Sequence, residues 1–97
     1  MNIIKNAEGT ALTIALEGRL DTSTAPQLEA EVKAISGVTE LTMDLAKLEY
    51  LSSAGLRVLL AAQKMMNKQG KMVVRNVNDT IMEVFEVTGF IDILTIE

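Results

Sequence analysis

The apolar positions of this chain fall into two alternating rhythms. Ile3 and Ile4 precede the polar stretch Asn6-Ala7-Glu8-Gly9, and Ala11 to Leu16 then resumes an extended pattern. This predicts two short strands joined as a hairpin. Gly18-Arg19-Leu20-Asp21 breaks the second strand. Thr24 caps a helix, with Pro26 in its first turn and Gln27 closing a capping box; Leu28, Val32 and Ile35 follow at helical spacing, and Gly37 stops it. Leu41 to Leu45 reads as a buried strand and Ala46 to Leu51 as a loop. A long helix then runs from Ser52-Ser53 to about Gln69, where Gly70 stops it. Met72 to Val74 is a strand. Asn78 or Asp79 caps a third helix carrying Ile81, Val84 and Phe85, which Gly89 ends, and Ile91 to Ile96 closes the chain as a last strand or extended edge. Strands alternating with helices after a hairpin predict the α/β class. The expected architecture is a mixed sheet of four to five strands with about three helices on one face, in a single domain spanning residues 1–97.

The long helix carries the most information. Projected at about 100° per residue, Gly55, Val58, Leu59, Ala62, Met65 and Met66 share the side that must face the sheet. Ser53, Arg57, Lys64, Asn67 and Lys68 share the opposite side, with Leu60 among them and Leu56 at their margin. Aliphatic residues rimmed by charge are what a docking patch needs. At the start of this helix either Ser52 or Ser53 can accept from free backbone N–H groups as an ordinary cap. A phosphoserine there is also electrostatically tolerated, facing the positive end of the helix dipole. Gly55 costs about 1 kcal/mol relative to alanine, and its position on the core side points to close packing against a strand.

Composition narrows the chemistry. Hydrophobic residues make up 48% and charged residues 23% of the 97, which fits a folded domain rather than a disordered segment. There is no cysteine and no histidine. That excludes disulfides, thiol catalysis, Cys-ligated metal sites and the Ser-His-Asp triad. No phosphate-binding glycine loop is present, and Asp21, Asp44 and Glu49 fit turn, strand-end and solvated roles better than acid–base work. We therefore expect a protein without catalysis, cofactor or metal. The net charge is −4, the nine basic residues are dispersed, and three aromatics offer no base-stacking platform, so no nucleic-acid partner is expected. The apolar run Val58 to Ala62 is too short to span a bilayer, and the first residues show no export signal, so a cytoplasmic location without membrane insertion is the expectation.

Gly18-Arg19-Leu20-Asp21 with Ala25 and Leu28, Asp44-Leu45 leading to Ser52-Ser53-Ala54-Gly55-Leu56, and Val87-Thr88-Gly89-Phe90 occur in this order across nearly the whole chain. In this the sequence resembles the STAS domain, and more narrowly the free-standing bacterial anti-sigma factor antagonists. The resemblance implies a regulator of transcription that binds an anti-sigma factor, itself a serine kinase, and so frees a sigma factor. Phosphorylation of the serine before the Gly-Leu element dissolves the complex, and a serine phosphatase resets it. Anchored on Gly55-Leu56, that serine is Ser53 rather than Ser52. Together with the outer face of the long helix, the expected partner surface comprises Asp21, Ser52, Ser53, Leu56, Arg57, Leu60 and Lys64. Two departures stand out: Ser52 occupies a position that is commonly acidic, and the terminal helix many members carry is not among these residues. The second leaves a sheet edge or apolar strip for self-association, so the expected state is a monomer or weak homodimer. The alternative implied function is a constitutive, non-catalytic STAS subunit of a membrane lipid-transporter complex, docking through Leu56 and Leu60.

Overall fold

The computed structural model describes residues 1–97. Strands β1 (Asn2–Glu8) and β2 (Ala11–Leu20) form the hairpin, followed by α1 (Ala25–Lys33), β3 (Glu40–Leu51), α2 (Ser53–Asn67), β4 (Lys71–Arg75) and α3 (Asp79–Thr88). A 3₁₀ turn at Phe90–Asp92 follows. The sheet has four strands in the order β1-β2-β3-β4. β1 lies antiparallel to β2, while β2, β3 and β4 run parallel, so α1 and α2 are the crossovers that parallel neighbours require. Twenty-one buried apolar residues form one core, drawn from β2, β3, β4, the three helices and Leu94. No helix is long and apolar enough to cross a membrane.

β2 does not stop at Gly18, and the expected loop from Ala46 to Leu51 is strand. β3 continues to Leu51 because it absorbs extra residues against β2: Ala15 faces Asp44 but Glu17 faces Lys47, and Gly18 faces Leu48 while Arg19 faces Tyr50. These bulges shift the buried residues of β3 from two-residue spacing (Leu41, Met43, Leu45) to three-residue spacing (Leu48, Leu51). The Asp44 carboxylate sits beside the first irregularity, accepting from the Ala46 N–H at 3.0 Å and from Asn76 Nδ2 at 3.1 Å.

Helix ends also depart from expectation. Thr24 precedes α1 without capping it, so no capping box forms. Its hydroxyl instead donates to the Arg19 carbonyl at 2.8 Å and accepts from the Asp21 N–H at 2.8 Å. Of the two candidates before α3, Asn78 is the cap: its Oδ1 accepts from the Ile81 N–H at 2.9 Å, and its Nδ2 donates to the Leu48 carbonyl at 2.9 Å. Gly89 ends α3 in the left-handed region, at φ 81°. Residues 91–96 are not a strand. After the 3₁₀ turn, Ile96 makes a single parallel bridge to Val74, fixed by Val74 N–H to Thr95 carbonyl at 2.8 Å and Glu97 N–H to Val74 carbonyl at 2.9 Å.

One buried side chain is polar. Gln63 of α2 is 5% exposed, and while its Nε2 donates to Asn67 Oδ1 at 2.9 Å, its Oε1 has no partner. A buried acceptor without a partner costs the chain its desolvation. Gln63→Met, which keeps the length and removes the orphan, is expected to stabilise the fold by about 1 kcal/mol. That corresponds to a melting temperature higher by roughly 4–8 °C. A melt at or below the parent's would show that the amide is satisfied in solution.

Candidate functional site

The ends of β2 and β3 lie side by side: Leu20 pairs with Leu51, and the Ser52 N–H donates to the Leu20 carbonyl at 2.9 Å. The turn into α1 and the start of α2 therefore share one end of the sheet, which places Asp21 and the Ser52-Ser53 pair in the same region. Parallel strands feeding helices put chemistry-bearing residues at this carboxyl end.

Asp21 organises the first turn. Its Oδ1 accepts from the Ser23 hydroxyl at 2.7 Å, the Ser23 N–H at 3.0 Å and the Thr24 N–H at 3.2 Å. The Ser23 hydroxyl, helped by the backbone donors and opposed by partial burial, holds the Asp21 carboxyl below the usual carboxylate range. Arg19 approaches Asp21 Oδ2 at 3.7 Å and lies over the Tyr50 ring, 4.1 Å from its centroid. No local pattern signals that stack, because Arg19 and Tyr50 meet only through the shifted β2–β3 register.

The two serines divide their work. Ser52 has extended backbone (φ −95°, ψ 172°), is half-buried, and its Oγ accepts from the Gly55 N–H at 3.3 Å as the cap of α2. Ser53, the first residue of α2, is exposed, and its hydroxyl makes no hydrogen bond. No acidic residue occupies the first turn, so nothing there competes for the positive end of the dipole. Gly55 is clamped: a Cβ on it would stand 2.6 Å from Leu20 Cγ and 2.8 Å from Leu51 Cδ1. This glycine sets how closely α2 approaches the strand ends, and so where Ser53 emerges.

Of the remaining candidates, Arg57 and Lys64 are exposed and Leu60 is half-buried. Leu56 corrects an expectation. It is 5% exposed and belongs to the core, so it offers no surface for docking. The buried residues of α2 (Gly55, Leu56, Val58, Leu59, Ala62, Gln63 and Met66) span an arc of about 160° at 100° per residue, wider than a single sheet-facing stripe. Residues on that arc's flank, Leu56 and Gln63, are therefore interior. Ser53 and Lys64 lie about 16 Å apart along the axis, so the site is an elongated surface rather than a pocket. No group of three or more acidic side chains is placed to hold a metal ion.

Comparison with known proteins bears on this geometry. The family model described as "Mlab, STAS domain" matches residues 4–95. Over 88 residues the chain is 40% identical to BtrV of Bordetella bronchiseptica, a protein provisionally named an anti-sigma factor antagonist, covering 88% of this chain and 76% of that one. It is 32% identical over 103 residues to the anti-sigma-B factor antagonist of Listeria monocytogenes, covering 100% of this chain and 90% of the other. Among solved structures the fold matches the anti-sigma factor antagonist SpoIIAA in its unphosphorylated form, with TM-score 0.84, 21% identity, and coverage of 99% of this chain and 88% of that one. The phosphorylated form of the Bacillus protein superposes with TM-score 0.78 and 19% identity, covering 99% and 91%. The four-stranded mixed sheet with its leading hairpin and three helices is thus a shared architecture.

Proposed function

We propose that this chain, which belongs to the STAS domain family, acts as an anti-sigma factor antagonist whose binding is switched at Ser53. Unmodified, it binds an anti-sigma factor that is also a serine kinase, through the surface running from the Asp21 turn along α2. Phosphorylation of Ser53 releases it, and a serine phosphatase restores it. The relatives named as antagonists support the role. The observation that carries the site is the division between the serines: the Ser52 hydroxyl is committed to the Gly55 N–H, whereas Ser53 is exposed and unbonded. A kinase needs the free hydroxyl. Ser52 also accounts for the missing acidic neighbour, since it performs a capping role a carboxylate could fill.

The chemistry of release follows from charge. A phosphoryl group adds about 1.5–2 negative charges at neutral pH. Desolvating that charge in an interface without a paired cation costs more than a typical complex can spare.

The test is to incubate the chain with an anti-sigma kinase and ATP and to map the label by mass spectrometry. We expect a single phosphate on Ser53, none on Ser53→Ala, and continued labelling of Ser52→Ala. Label on Ser52, or undiminished label on Ser53→Ala, overturns the assignment. Stable copurification with a transporter ATPase subunit, unaffected by ATP, would replace the antagonist reading with the transporter-subunit one.

A further inference from the structure

The basic residues of this chain are not equally engaged. Lys5, Arg19, Lys33, Lys47, Lys71 and Arg75 each lie within 4.0 Å of a carboxylate, on Glu31, Asp21, Glu29, Glu17, Glu40 and Glu97 respectively. Of the nine lysines and arginines, this leaves Arg57, Lys64 and Lys68. All three lie at or beside α2, all are exposed, and none has an acidic partner. At 100° per residue they fall within about 40° of one another, and Ser53 lies on the same side. The stripe from Ser53 to Lys68 is about 22 Å long. No residue from Ser53 to Asn67 is acidic, although the whole chain carries net charge −4. Glu29 of α1 lines the same cleft as Arg57 but is engaged by Lys33 at 3.4 Å.

We infer that the outer stripe of α2 is a docking surface for an acidic face of a protein partner, and that this charge complementarity is what a phosphoryl group on Ser53 cancels. The inference rests on the antagonist reading for the identity of the partner, but not for the stripe itself. Three unpaired cations on an otherwise acidic surface concentrate a positive field where it steers an oppositely charged partner and repels a basic one. A protein face fits better than a polyanion. The net negative charge opposes a nucleic-acid backbone, and half-buried Leu60 lies along the stripe, where a protein interface would bury it. Ser53 stands one turn before Arg57. A phosphate there brings about 1.5–2 negative charges against the three positive ones, so it removes about half to two-thirds of the stripe's charge while leaving the rest of the surface as it was.

Two measurements test this, and they fail separately. The first needs no natural partner: amide chemical-shift changes are followed by NMR as poly-L-glutamate, or duplex DNA at equal charge, is added at low salt. We expect glutamate-induced shifts concentrated along α2 from Ser53 to Lys68, and weaker ones with DNA. Shifts spread evenly over Lys5, Lys33, Lys47 and Lys71 overturn the proposal, as does a stronger response to DNA. The second measures association with the anti-sigma factor against ionic strength. The parent rate should fall with salt, and the Arg57→Gln, Lys64→Gln, Lys68→Gln triple variant should associate about tenfold more slowly at low salt. A triple variant that associates at the parent rate, or a parent rate that rises with salt, overturns it. If the chain binds no anti-sigma factor at all, the antagonist reading fails, and the glutamate titration still decides the stripe.

Discussion

Gly70→Ala is expected to lower the melting temperature by about 10–20 °C, corresponding to a loss of about 2–3 kcal/mol. The cause is not backbone conformation, since Gly70 lies outside the left-handed region. It is space. A Cβ at Gly70 would be driven into the carbonyl oxygen of Thr39 and would stand 2.7 Å from its carbonyl carbon and 2.8 Å from its Cα. These are backbone atoms, so no rotamer change relieves the clash. They are also fixed in place: the Lys71 N–H donates to that same Thr39 carbonyl at 2.9 Å, Gln69 Nε2 donates to the Val38 carbonyl at 2.7 Å, and Glu40 pairs with Lys71 where β3 and β4 begin. Relief requires moving the start of β4 away from β3. Gly55→Ala meets side-chain atoms of Leu20 and Leu51 instead, and gains about 1 kcal/mol of helix propensity, so its cost should be smaller. Thermal melts of the two variants side by side measure the contrast. A Gly70→Ala protein melting within a few degrees of the parent would show that the Thr39 backbone yields.

The second large effect concerns binding. Ser53→Asp should weaken association with the anti-sigma factor by about tenfold or more, since a negative charge there offsets the positive stripe the partner meets, and about 1.4 kcal/mol is a factor of ten. Ser53→Ala should bind as the parent does, because the Ser53 hydroxyl makes no contact whose loss would reshape the surface. Ser52→Asp is the informative control. A carboxylate at that position can still accept from the first-turn N–H groups, so α2 keeps its cap and the added charge falls on a half-buried residue. Titration calorimetry of the three variants separates charge at Ser53 from charge near it. Equal affinities for Ser53→Asp and Ser53→Ala would contradict the charge mechanism.

Much of this was legible in the chain, for local reasons. The hairpin, the long helix and the glycine stop at Gly89 depend on turn chemistry and periodicity that neighbouring residues carry themselves. Thr24 was misassigned as the cap for a related reason: it is a good cap by type, but its hydroxyl is drawn to the carbonyl of Arg19, a β2 residue, while Asp21 organises the turn as its residue type suggested. The second half of β3 was illegible because its buried leucines recur every third residue, a rhythm belonging to neither a regular strand nor a helix. Only pairing with β2, with the extra residues bulged out of β3, makes it a strand. Leu56 was misplaced because a helical wheel assigns directions without saying how wide an arc the neighbours cover. At the proposed site, motif register favoured Ser53 over Ser52, but the contrast between them is a hydrogen bond, which no spacing rule supplies.

That hydrogen bond has a consequence for how fast and how cheaply a signal could be written. A switch that melts or reorders a segment spends free energy on each cycle and waits for the segment to refold. Here the group that holds the helix end and the group open to modification are different side chains, one residue apart. Because the Ser52 bond to Gly55 does not use the Ser53 hydroxyl, the domain behind a mark on Ser53 need not move to accept it. Writing or erasing the mark would then be as quick as the enzymes that do it. The protein would serve as a rigid tablet, able to pass through many rounds without unfolding in any of them.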